Sequence, residues 1–545
     1  MREAAASDVA RPFQVAVVGG GISGLATAWY VEKQAAAQGV PVECSVYETA
    51  GRWGGRIRTD IVEREEGRFV VEGGPDSFLA AQKPWAVNLA LELGLGDELL
   101  GTNDAARKVY VLSKGRPVRM PEGVFLLVPT KFKPFVLSPL ISPLGKVRMG
   151  LELFIPARKG SSDETLGDFV TRRFGSEALD KIAEPLLSGI YNAEAERQSL
   201  LATFPRFRET ELACGSLIRG MLAGKAEARK SRKEARRQAP APGGVKQASG
   251  GGASQAPGGG VAQAPGSREA QMPSGGEAET SAGSRPGSMF VSFLAGTEEI
   301  VSGLTHKLGA GLRAGVEVRR LAPGDGGGYD LEVSGTPGVS LGADVIRADA
   351  VVLAIPAYDA ARLLTSVSPQ AAALLGSIRY VSTGTLSLAY KRDASGERLA
   401  GFGVLVPRSE KRPLNAVTWS STKFDHRAPE GCSLLRVFFG GSRSPGTMRM
   451  DDDELLAVIK RELRSIMGVE KDPLFHRIYR WEMANAQYDV EHLKRVEAVE
   501  RALPPGVWVT GSAYRGVGLP DCVHQGQATA ERVVERLKGL QRSAP

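Results

Sequence analysis

The chain has 545 residues, of which 42% are hydrophobic and 24% are charged, so it is long enough for two or three packed domains around a large buried site. Its net charge of +8 is concentrated in one basic segment between Lys225 and Arg237, and the nearly neutral remainder gives no support to nucleic-acid binding. The four cysteines are far apart and the five histidines lack metal-ligand spacing, which argues against a metal site and against a secreted disulfide framework.

The first residues carry no recognisable export signal. Residues 1–14 include acidic side chains and lack an apolar run. We also find no stretch of the sequence that has the character of a membrane span. We therefore expect an intracellular protein.

The first chemical motif follows the strand-like run Val15–Val18. Gly19, Gly21 and Gly24 form a GxGxxG pattern that leads into a helical pattern. In that context the first glycine permits a tight turn, the second lets the backbone approach a pyrophosphate and the third allows close packing of strand and helix. Glu48, at the end of the next strand, supplies a carboxylate for ribose hydroxyls. The alternative interpretation of the GxGxxG pattern is a glycine-rich turn that binds no ligand.

A second glycine motif follows Glu48 and separates FAD from NAD. Arg52, Gly54, Gly55 and Arg56 form a glycine pair flanked by arginines, which resembles the second fingerprint of the amine-oxidase flavoproteins. The glycines let the backbone run against the cofactor, and Arg52 or Arg56 can neutralise phosphate. The alternative is two surface arginines at a turn.

The third part of the predicted cofactor site lies near the other end of the chain. A glycine-rich turn leads into a helical pattern, and its predicted cofactor contacts are Gly511, Val517, Gly518 and Leu519. Backbone N–H groups and the positive end of a helix suit the anionic edge of a reduced flavin. Val316 and Val318 lie in a segment that resembles the strand that contacts adenine.

The distribution of strand and helix patterns predicts an α/β fold. Strand-like runs at Val15–Val18, Val351–Ile355 and Val507–Thr510 alternate with helical patterns, which indicates parallel strands. Leu386–Leu405 and Leu414–Phe439 instead show β-rich runs separated by Gly and Pro, which predicts a mostly antiparallel second sheet.

Between residues 225 and 287 the composition changes to Gly, Ala, Pro, Ser and Gln, which predicts a disordered insert in a surface loop. The basic run at its start is either a solvated helix end or a site for anionic lipid.

Two further segments narrow the resemblance to one family. Phe69–Phe78, with Glu72, Gly73, Gly74 and Pro75, and the segment Ala513–Cys522 resemble signatures of the protoporphyrinogen oxidases of the bacterial and plant type. The resemblance implies three domains and an insert: a discontinuous Rossmann-type FAD-binding domain (12–85, 288–357 and 500–541), a mostly antiparallel substrate-binding domain (86–120, 200–224 and 358–499), a helical membrane-facing domain (121–199) and the insert (225–287).

The resemblance also implies the contacts of the site. FAD is expected to bind non-covalently, with Gly74 and Trp481 as further contacts. Phe402 and Leu405 would hold a tetrapyrrole from one side while Val417 and Phe438 close the pocket; the alternative is that these are core residues of the sheet. Three further substrate contacts are expected, with Asp76 near the propionates or the flavin edge, Gly189 as a backbone contact and Arg107, or else Lys108, as the partner of a propionate.

The function implied by the resemblance is the oxidation of protoporphyrinogen IX to protoporphyrin IX in haem biosynthesis, by hydride transfer to FAD and reoxidation by O2 with release of H2O2. The alternatives are a coproporphyrinogen III oxidase of the same family or another amine-oxidase-like enzyme. No catalytic side chain is assigned, because the protein's part is to orient the substrate and set the flavin's electronic properties.

The same resemblance implies where the protein acts. Apolar residues mixed with Lys and Arg between Glu122 and Arg158 predict peripheral association with the inner face of the cell membrane. A homodimer is also expected.

Overall fold

The computed structural model describes residues 11–125, 128–129, 131–238, 288–336, 339, 344–392 and 401–543. Residues 239–287, the larger part of the predicted insert, lie outside the described residues. The described chain has the mixed α/β architecture that the sequence predicts, with a parallel sheet, a mostly antiparallel sheet and a helical unit.

The parallel sheet has five strands. In spatial order they are Leu312–Ala314, Val42–Glu48, Phe13–Val18, Ala350–Leu353 and Val507–Val509. Because all five strands run in the same direction, their carboxyl ends share one edge of the sheet, which is where ligands bind in open α/β folds.

Both faces of this sheet are buried, as alternation along the central strand shows. Val15 and Val17 belong to one core, and Ala16 and Val18 belong to the other. The first face is covered by the helices Ile22–Gln38, Trp85–Glu92, Glu299–Leu308 and Leu519–Ser543. The second is covered by the helices Ala357–Leu364, Pro369–Gly376 and His492–Ala502 and by an antiparallel sheet of Val316–Pro323, Tyr329–Gly335 and Val345–Ala348.

Two small sheets join the parallel sheet to the rest of the molecule. One is the hairpin of Thr59–Arg64 and Gly67–Glu72, and the other has the strands Phe78–Leu79, Phe290–Phe293 and Leu99–Gly101. The residues just after the hairpin, Gly73 and Gly74, enter the site described below.

The second large sheet has seven strands, in the order Phe475–Ala486, Tyr380–Lys391, Cys432–Gly440, Ala416–Trp419, Gly403–Leu405, Val109–Ser113 and Arg116–Arg119. All neighbouring pairs are antiparallel except Gly403–Leu405 with Val109–Ser113. The helix Asp452–Met467 buries Leu455, Ile459 and Leu463 against one face of this sheet. The other face is therefore left for contact with the parallel-sheet unit.

The helical unit has its own core. Its helices are Phe132–Leu137, Pro143–Gly150, Leu166–Phe174, Leu200–Thr203, Pro205–Cys214 and Leu217–Gln238, with a π-helical segment at Leu179–Ser188 and a short hairpin of Val124–Phe125 and Val128–Pro129. Across the described ranges, the helices fall short of the length and apolar character needed to span a membrane.

The structure moves four of the predicted domain boundaries. Leu200 and Phe207 pack in the helical core rather than with the antiparallel sheet, so the helical unit continues past residue 199. The helix Leu217–Gln238 continues into the segment that we predicted to be disordered from residue 225. The helices Trp85–Glu92 and His492–Ala502 pack on the parallel sheet. Motifs and composition mark where segments change character, but they do not show which core a helix covers.

Candidate active site

The two N-terminal glycine motifs meet at the carboxyl edge of the parallel sheet. The Gly54 N–H donates to the carbonyl of Gly20 at 2.8 Å, and Gly21 and Gly54 form an isolated parallel bridge. Gly54 has a φ of +98° and Gly55 a φ of +58°, conformations that side chains disfavour. The two glycine motifs, which are separate in the sequence, thus form one surface of the predicted cofactor site.

The space around Gly21 and Gly24 differs in a way that matches their predicted roles. A Cβ at Gly24 would lie 1.9 Å from the Gly19 carbonyl oxygen, so this glycine permits the close packing of helix on turn. A Cβ at Gly21 would meet only the Cα of Gly55, at 4.0 Å. Gly21 therefore faces open space, where a pyrophosphate could approach the backbone.

Glu48 is held at the end of its strand by backbone donors. Its two carboxylate oxygens accept hydrogen bonds from the N–H groups of Gly20 and Ala50, both at 2.7 Å. These bonds fix the carboxylate beside the glycine turn, in the position where a ribose hydroxyl would be expected.

The C-terminal glycine loop is held from behind by two buried side chains. The Tyr488 hydroxyl donates to the Ser512 carbonyl at 3.0 Å and accepts from the Gly516 N–H at 2.8 Å. The His492 ring stacks on Tyr488, and its Nε2 lies 3.0 Å from the carbonyl oxygen of Tyr514. Burial lowers the pKa of His492 to about 4, so the ring is neutral near neutral pH.

These segments surround one cavity of about 740 Å³ between the parallel-sheet unit and the seven-stranded sheet. The predicted cofactor residues that line it are Gly19, Gly21, Glu48, Gly54, Gly55, Arg56, Gly74, Val318, Trp481, Gly511, Val517, Gly518 and Leu519. The helices Ile22–Gln38 and Leu519–Ser543 both begin at its wall.

Three predicted cofactor residues lie behind the wall instead. Gly24 packs against the glycine turn, and Val316 is buried in the core. Arg52 donates to the carbonyls of Trp53 and Ile57, both at 3.2 Å, and to the carbonyl of Gly55. Arg52 therefore shapes the second glycine turn from behind, and Arg56 is the arginine of the pair that reaches the cavity.

The seven-stranded sheet supplies the opposite wall, and its register separates the predicted substrate residues. Phe438 lines the cavity and pairs across the strands with Ala416, which in turn pairs with Leu405. These three residues share one face of the sheet. Val417 pairs with Val437 on the other face, where it is 1% exposed in the core under the helix Asp452–Met467.

The placement of Val417 in the substrate pocket is therefore wrong, because side chains alternate along a strand and the cavity face carries its neighbours Ala416 and Thr418. Phe402 precedes its strand, is half-buried and lies outside the residues that line the cavity.

Three other predicted substrate contacts are placed differently by the structure. Asp76 is ion-paired with Lys423, whose Nζ lies 2.9 Å from its carboxylate, and it lies outside the residues that line the cavity, although its neighbours Pro75 and Ser77 line it. Gly189 is exposed, while its neighbours Tyr191 and Asn192 line the cavity. Arg107 is exposed with its guanidinium 3.9 Å from the Met289 sulfur, away from the cavity wall.

Charged groups near the sheet wall were missed by the sequence analysis. Arg436, two residues before Phe438 and so on the same sheet face, lines the cavity and lies with its guanidinium carbon 4.9 Å from the Phe438 ring centroid. Burial raises the pKa of Asp76, but Lys423 and Arg436 outweigh this and hold the pKa well below its usual range. Strand alternation from Phe438 was the available signal for Arg436.

The cavity has the features that FAD requires. Its glycine turns leave backbone N–H groups and open space beside two helix N-termini, and the Thr510 hydroxyl in the wall is buried without a hydrogen-bond partner. Trp481, whose indole N–H donates to the Gly73 carbonyl at 2.8 Å, adds an aromatic surface. Together the fold and the cavity define a dinucleotide-binding flavoenzyme.

The chain belongs to the family of flavin-containing amine oxidoreductases, whose family model matches residues 22–534. FAD is accordingly its cofactor. The chain is 39% identical over 535 residues to the coproporphyrinogen III oxidase of Propionibacterium freudenreichii subsp. freudenreichii, with 97% of this chain and 92% of the relative covered.

Two further comparisons agree with this relationship. The chloroplastic protoporphyrinogen oxidase of Oryza sativa subsp. japonica is 30% identical over 537 residues, with 96% of this chain and 88% of the relative covered. A crystal structure from Exiguobacterium sp. 255-15, of a protein named putative protoporphyrinogen oxidase, superposes with a TM-score of 0.76 at 25% identity, over 96% of this chain and 99% of that one. The resemblance to the porphyrinogen oxidases in the sequence is therefore confirmed.

Proposed function

We propose that the protein oxidises a porphyrinogen to the porphyrin in haem biosynthesis, with coproporphyrinogen III as the substrate. The observation that carries this proposal is the cavity itself, in which dinucleotide-binding loops continue into an aromatic and arginine-containing sheet face. The identity of 39% to a coproporphyrinogen III oxidase favours that substrate. Protoporphyrinogen IX, which the sequence resemblance placed first, is the second candidate and is supported by the rice relative at 30% identity.

Bound FAD would accept hydride from the substrate, and O2 would reoxidise the flavin with formation of H2O2. The chain's own residues bind and orient the reactants. Phe438 offers an aromatic face to the apolar pyrrole rings of the macrocycle, and the backbone of Gly73 and Gly74 is held beside it by Trp481 and Arg436. The charged pair of Asp76 and Lys423 lies beside this wall, since Pro75 and Ser77 on either side of Asp76 line the cavity.

The substrate assignment is tested with the purified, FAD-loaded protein. Coproporphyrinogen III and protoporphyrinogen IX are supplied separately in air, and porphyrin fluorescence, O2 uptake and H2O2 are recorded together. We expect a higher kcat/KM for coproporphyrinogen III, and one H2O2 for each pair of hydrogens removed. A higher kcat/KM for protoporphyrinogen IX would reverse the order of the candidates, and turnover without O2 uptake would refute O2 as the acceptor.

We also propose that the helical unit binds the cytoplasmic face of the membrane. An apolar surface on this unit supports the proposal, with exposed fractions of 73% for Leu137, 82% for Leu144 and 77% for Phe154. Lys131 and Lys133 are exposed on the same short segment, and such a mixture of apolar and basic side chains suits an anionic lipid surface.

Vesicle binding tests this location. Co-sedimentation with vesicles of anionic phospholipid should be lost when Leu144 and Phe154 are both replaced by Ser, and retained when Leu91, an exposed leucine of the parallel-sheet unit, is replaced by Ser. Equal binding by the three proteins would contradict the proposal. The expected homodimer is a separate prediction, which light scattering of the purified protein would test.

A further inference from the structure

One buried cation in the cavity wall has no counter-ion of its own. Arg436 is 2% exposed, and among the described residues its guanidinium makes one hydrogen bond, from Nη2 to the Gly74 carbonyl. Its Nε is buried without a partner. A buried guanidinium normally pairs with a carboxylate, because leaving it unpaired is costly.

The carboxylates nearest to Arg436 are already paired with other cations. Asp76 lies 2.9 Å from Lys423 and Glu72 lies 3.7 Å from Arg427. No carboxylate of the described residues lies within 4 Å of the Arg436 guanidinium. The protein thus provides a positive charge at this wall and leaves its close partner to come from a ligand.

The position of Arg436 decides which ligand group can reach it. Arg436 lies on the seven-stranded sheet beside Phe438, whereas Gly21, which faces the predicted pyrophosphate position, lies on the loops of the parallel sheet. The negatively charged edge of a reduced flavin is expected at the N-terminus of the helix Leu519–Ser543. Arg436 donates to the carbonyl of Gly74, a predicted cofactor contact, but its side chain lies on the sheet face that carries Phe438, so its anion is assigned to the substrate.

We propose that Arg436 binds a carboxylate of the substrate and so selects tetrapyrroles with free carboxylic acid side chains. The proposal rests on the proposed function and deepens it by naming the substrate group that is recognised. It also moves the carboxylate partner from Arg107, which is exposed and outside the cavity wall, to a residue inside the wall. A guanidinium held between an aromatic ring and a backbone carbonyl has few orientations open to it, which favours a directed charge-assisted hydrogen bond.

The test compares an acid with its ester in the FAD-loaded protein. Coproporphyrinogen III and its tetramethyl ester are supplied in the same detergent, and kcat/KM is measured for the wild type and for Arg436→Gln. We expect the wild type to prefer the acid by about 10- to 100-fold, as expected for one charge-assisted hydrogen bond in a buried site. In Arg436→Gln this preference should fall to nearly 1, because the variant should lose activity on the acid but not on the ester.

A control and a second variant make the result specific. Arg362 lines the same cavity near Val318 and already pairs with Asp359 at 3.4 Å. Arg362→Gln should therefore keep the wild-type ratio of acid to ester. Arg436→Lys should keep part of the preference, and it replaces the first variant if Arg436→Gln fails to fold. FAD affinity and flavin reduction potential are measured for each protein.

Each other outcome has a defined meaning. An equal rate of the wild type on acid and ester, or an unchanged ratio in Arg436→Gln, overturns the proposal. An equal loss on acid and ester with a shifted flavin potential also overturns it, because Arg436 would then act on the cofactor. A wild-type protein that binds FAD but oxidises neither porphyrinogen refutes the proposed function, which separates that failure from the failure of the Arg436 assignment.

Discussion

Replacing Tyr488 by Phe tests whether the C-terminal glycine loop is preorganised for FAD. The substitution removes one hydroxyl and keeps the ring that stacks on His492 at a centroid distance of 4.0 Å. Two hydrogen bonds are lost, from the hydroxyl to Ser512 and from the Gly516 N–H to the hydroxyl. At about 1 kcal/mol each, these bonds contribute about 2 kcal/mol to the ordering of the loop.

If the loop is ordered mainly by these bonds, the cost of ordering it falls on FAD binding. A loss of about 2 kcal/mol corresponds to a Kd for FAD that is roughly 30-fold higher. The assay is titration of the apoprotein with FAD by flavin fluorescence, together with melting temperatures of the apo and FAD-bound forms. We expect weaker FAD binding in Tyr488→Phe, with a small change in the melting temperature of the apoprotein.

A matched control is Tyr329→Phe, since the Tyr329 hydroxyl donates to the Pro505 carbonyl at 2.9 Å and lies outside the cavity wall. This control should bind FAD like the wild type. The reasoning is refuted if Tyr488→Phe binds FAD like the wild type and its apo and FAD-bound forms show the same drop in melting temperature. Tyr488 would then stabilise the fold alone.

Four further predictions address the other parts of the site. Gly21→Val should abolish FAD binding yet leave a folded apoprotein by circular dichroism, since its side chain would enter open space beside the glycine turn; FAD binding by this variant would contradict the role of Gly21. Phe438→Ala should lower kcat/KM for the porphyrinogen, by an amount equivalent to about 1–3 kcal/mol of lost transition-state binding, with little change in stability. The core variant Val417→Ala should instead cost about 2 kcal/mol of unfolding free energy. The reverse pattern would refute the assigned faces of the sheet. The pKa of His492 is lowered to about 4 in the folded protein, so the unfolded chain takes up a proton at this residue first as the pH falls. Chemical denaturation should therefore show roughly 3 kcal/mol of stability lost between about pH 6.5 and about pH 4. The same dependence of unfolding free energy on pH in His492→Asn would refute this. Deletion of residues 239–286 should leave FAD content and kcat near the wild-type values, because the composition of that segment cannot supply a core; loss of bound FAD would contradict this.

The sequence predicted which glycine loops meet at the cavity, because the geometry of these loops is local. The GxGxxG turn must follow a strand and precede a helix, so the positions of Gly19 and Gly21 are set by neighbours in the chain. Glu48 follows from the next strand by the same rule. The meeting of these loops with Gly511 follows because their strands are parallel and share one edge.

The substrate half depends on strand pairing, which the sequence does not display. Val417 and Phe438 belong to neighbouring strands, and only the register shows that Val417 pairs with Val437 and turns toward the core. A shift of one residue exchanges the faces of a strand. Arg436 differs in this respect, because it lies two residues before the predicted pocket residue Phe438 and alternation along one strand was enough to place both on the same face.

Packing also explains the changed boundary of the helical unit. Lys225–Arg237 was included in the predicted disordered insert but was also interpreted as a solvated helix end, and the second interpretation agrees with the structure. The run continues the helix Leu217–Gln238, whose first turns are held by Leu217 and Ile218 in the helical core. A helix nucleated by buried residues can extend into polar sequence at little cost per residue.

The most direct test of the central claim, that this cavity oxidises a porphyrinogen at a bound flavin, is an anaerobic one. The FAD-loaded protein is mixed with coproporphyrinogen III without O2, and the visible absorbance of the flavin is followed. We predict that the flavin is bleached by the porphyrinogen and that admission of O2 restores the absorbance with formation of porphyrin. The diamine putrescine, which tests the alternative of an amine-oxidising enzyme, should leave the flavin absorbance unchanged. A flavin that keeps its absorbance with both coproporphyrinogen III and protoporphyrinogen IX, or that is bleached by putrescine instead, would contradict the account.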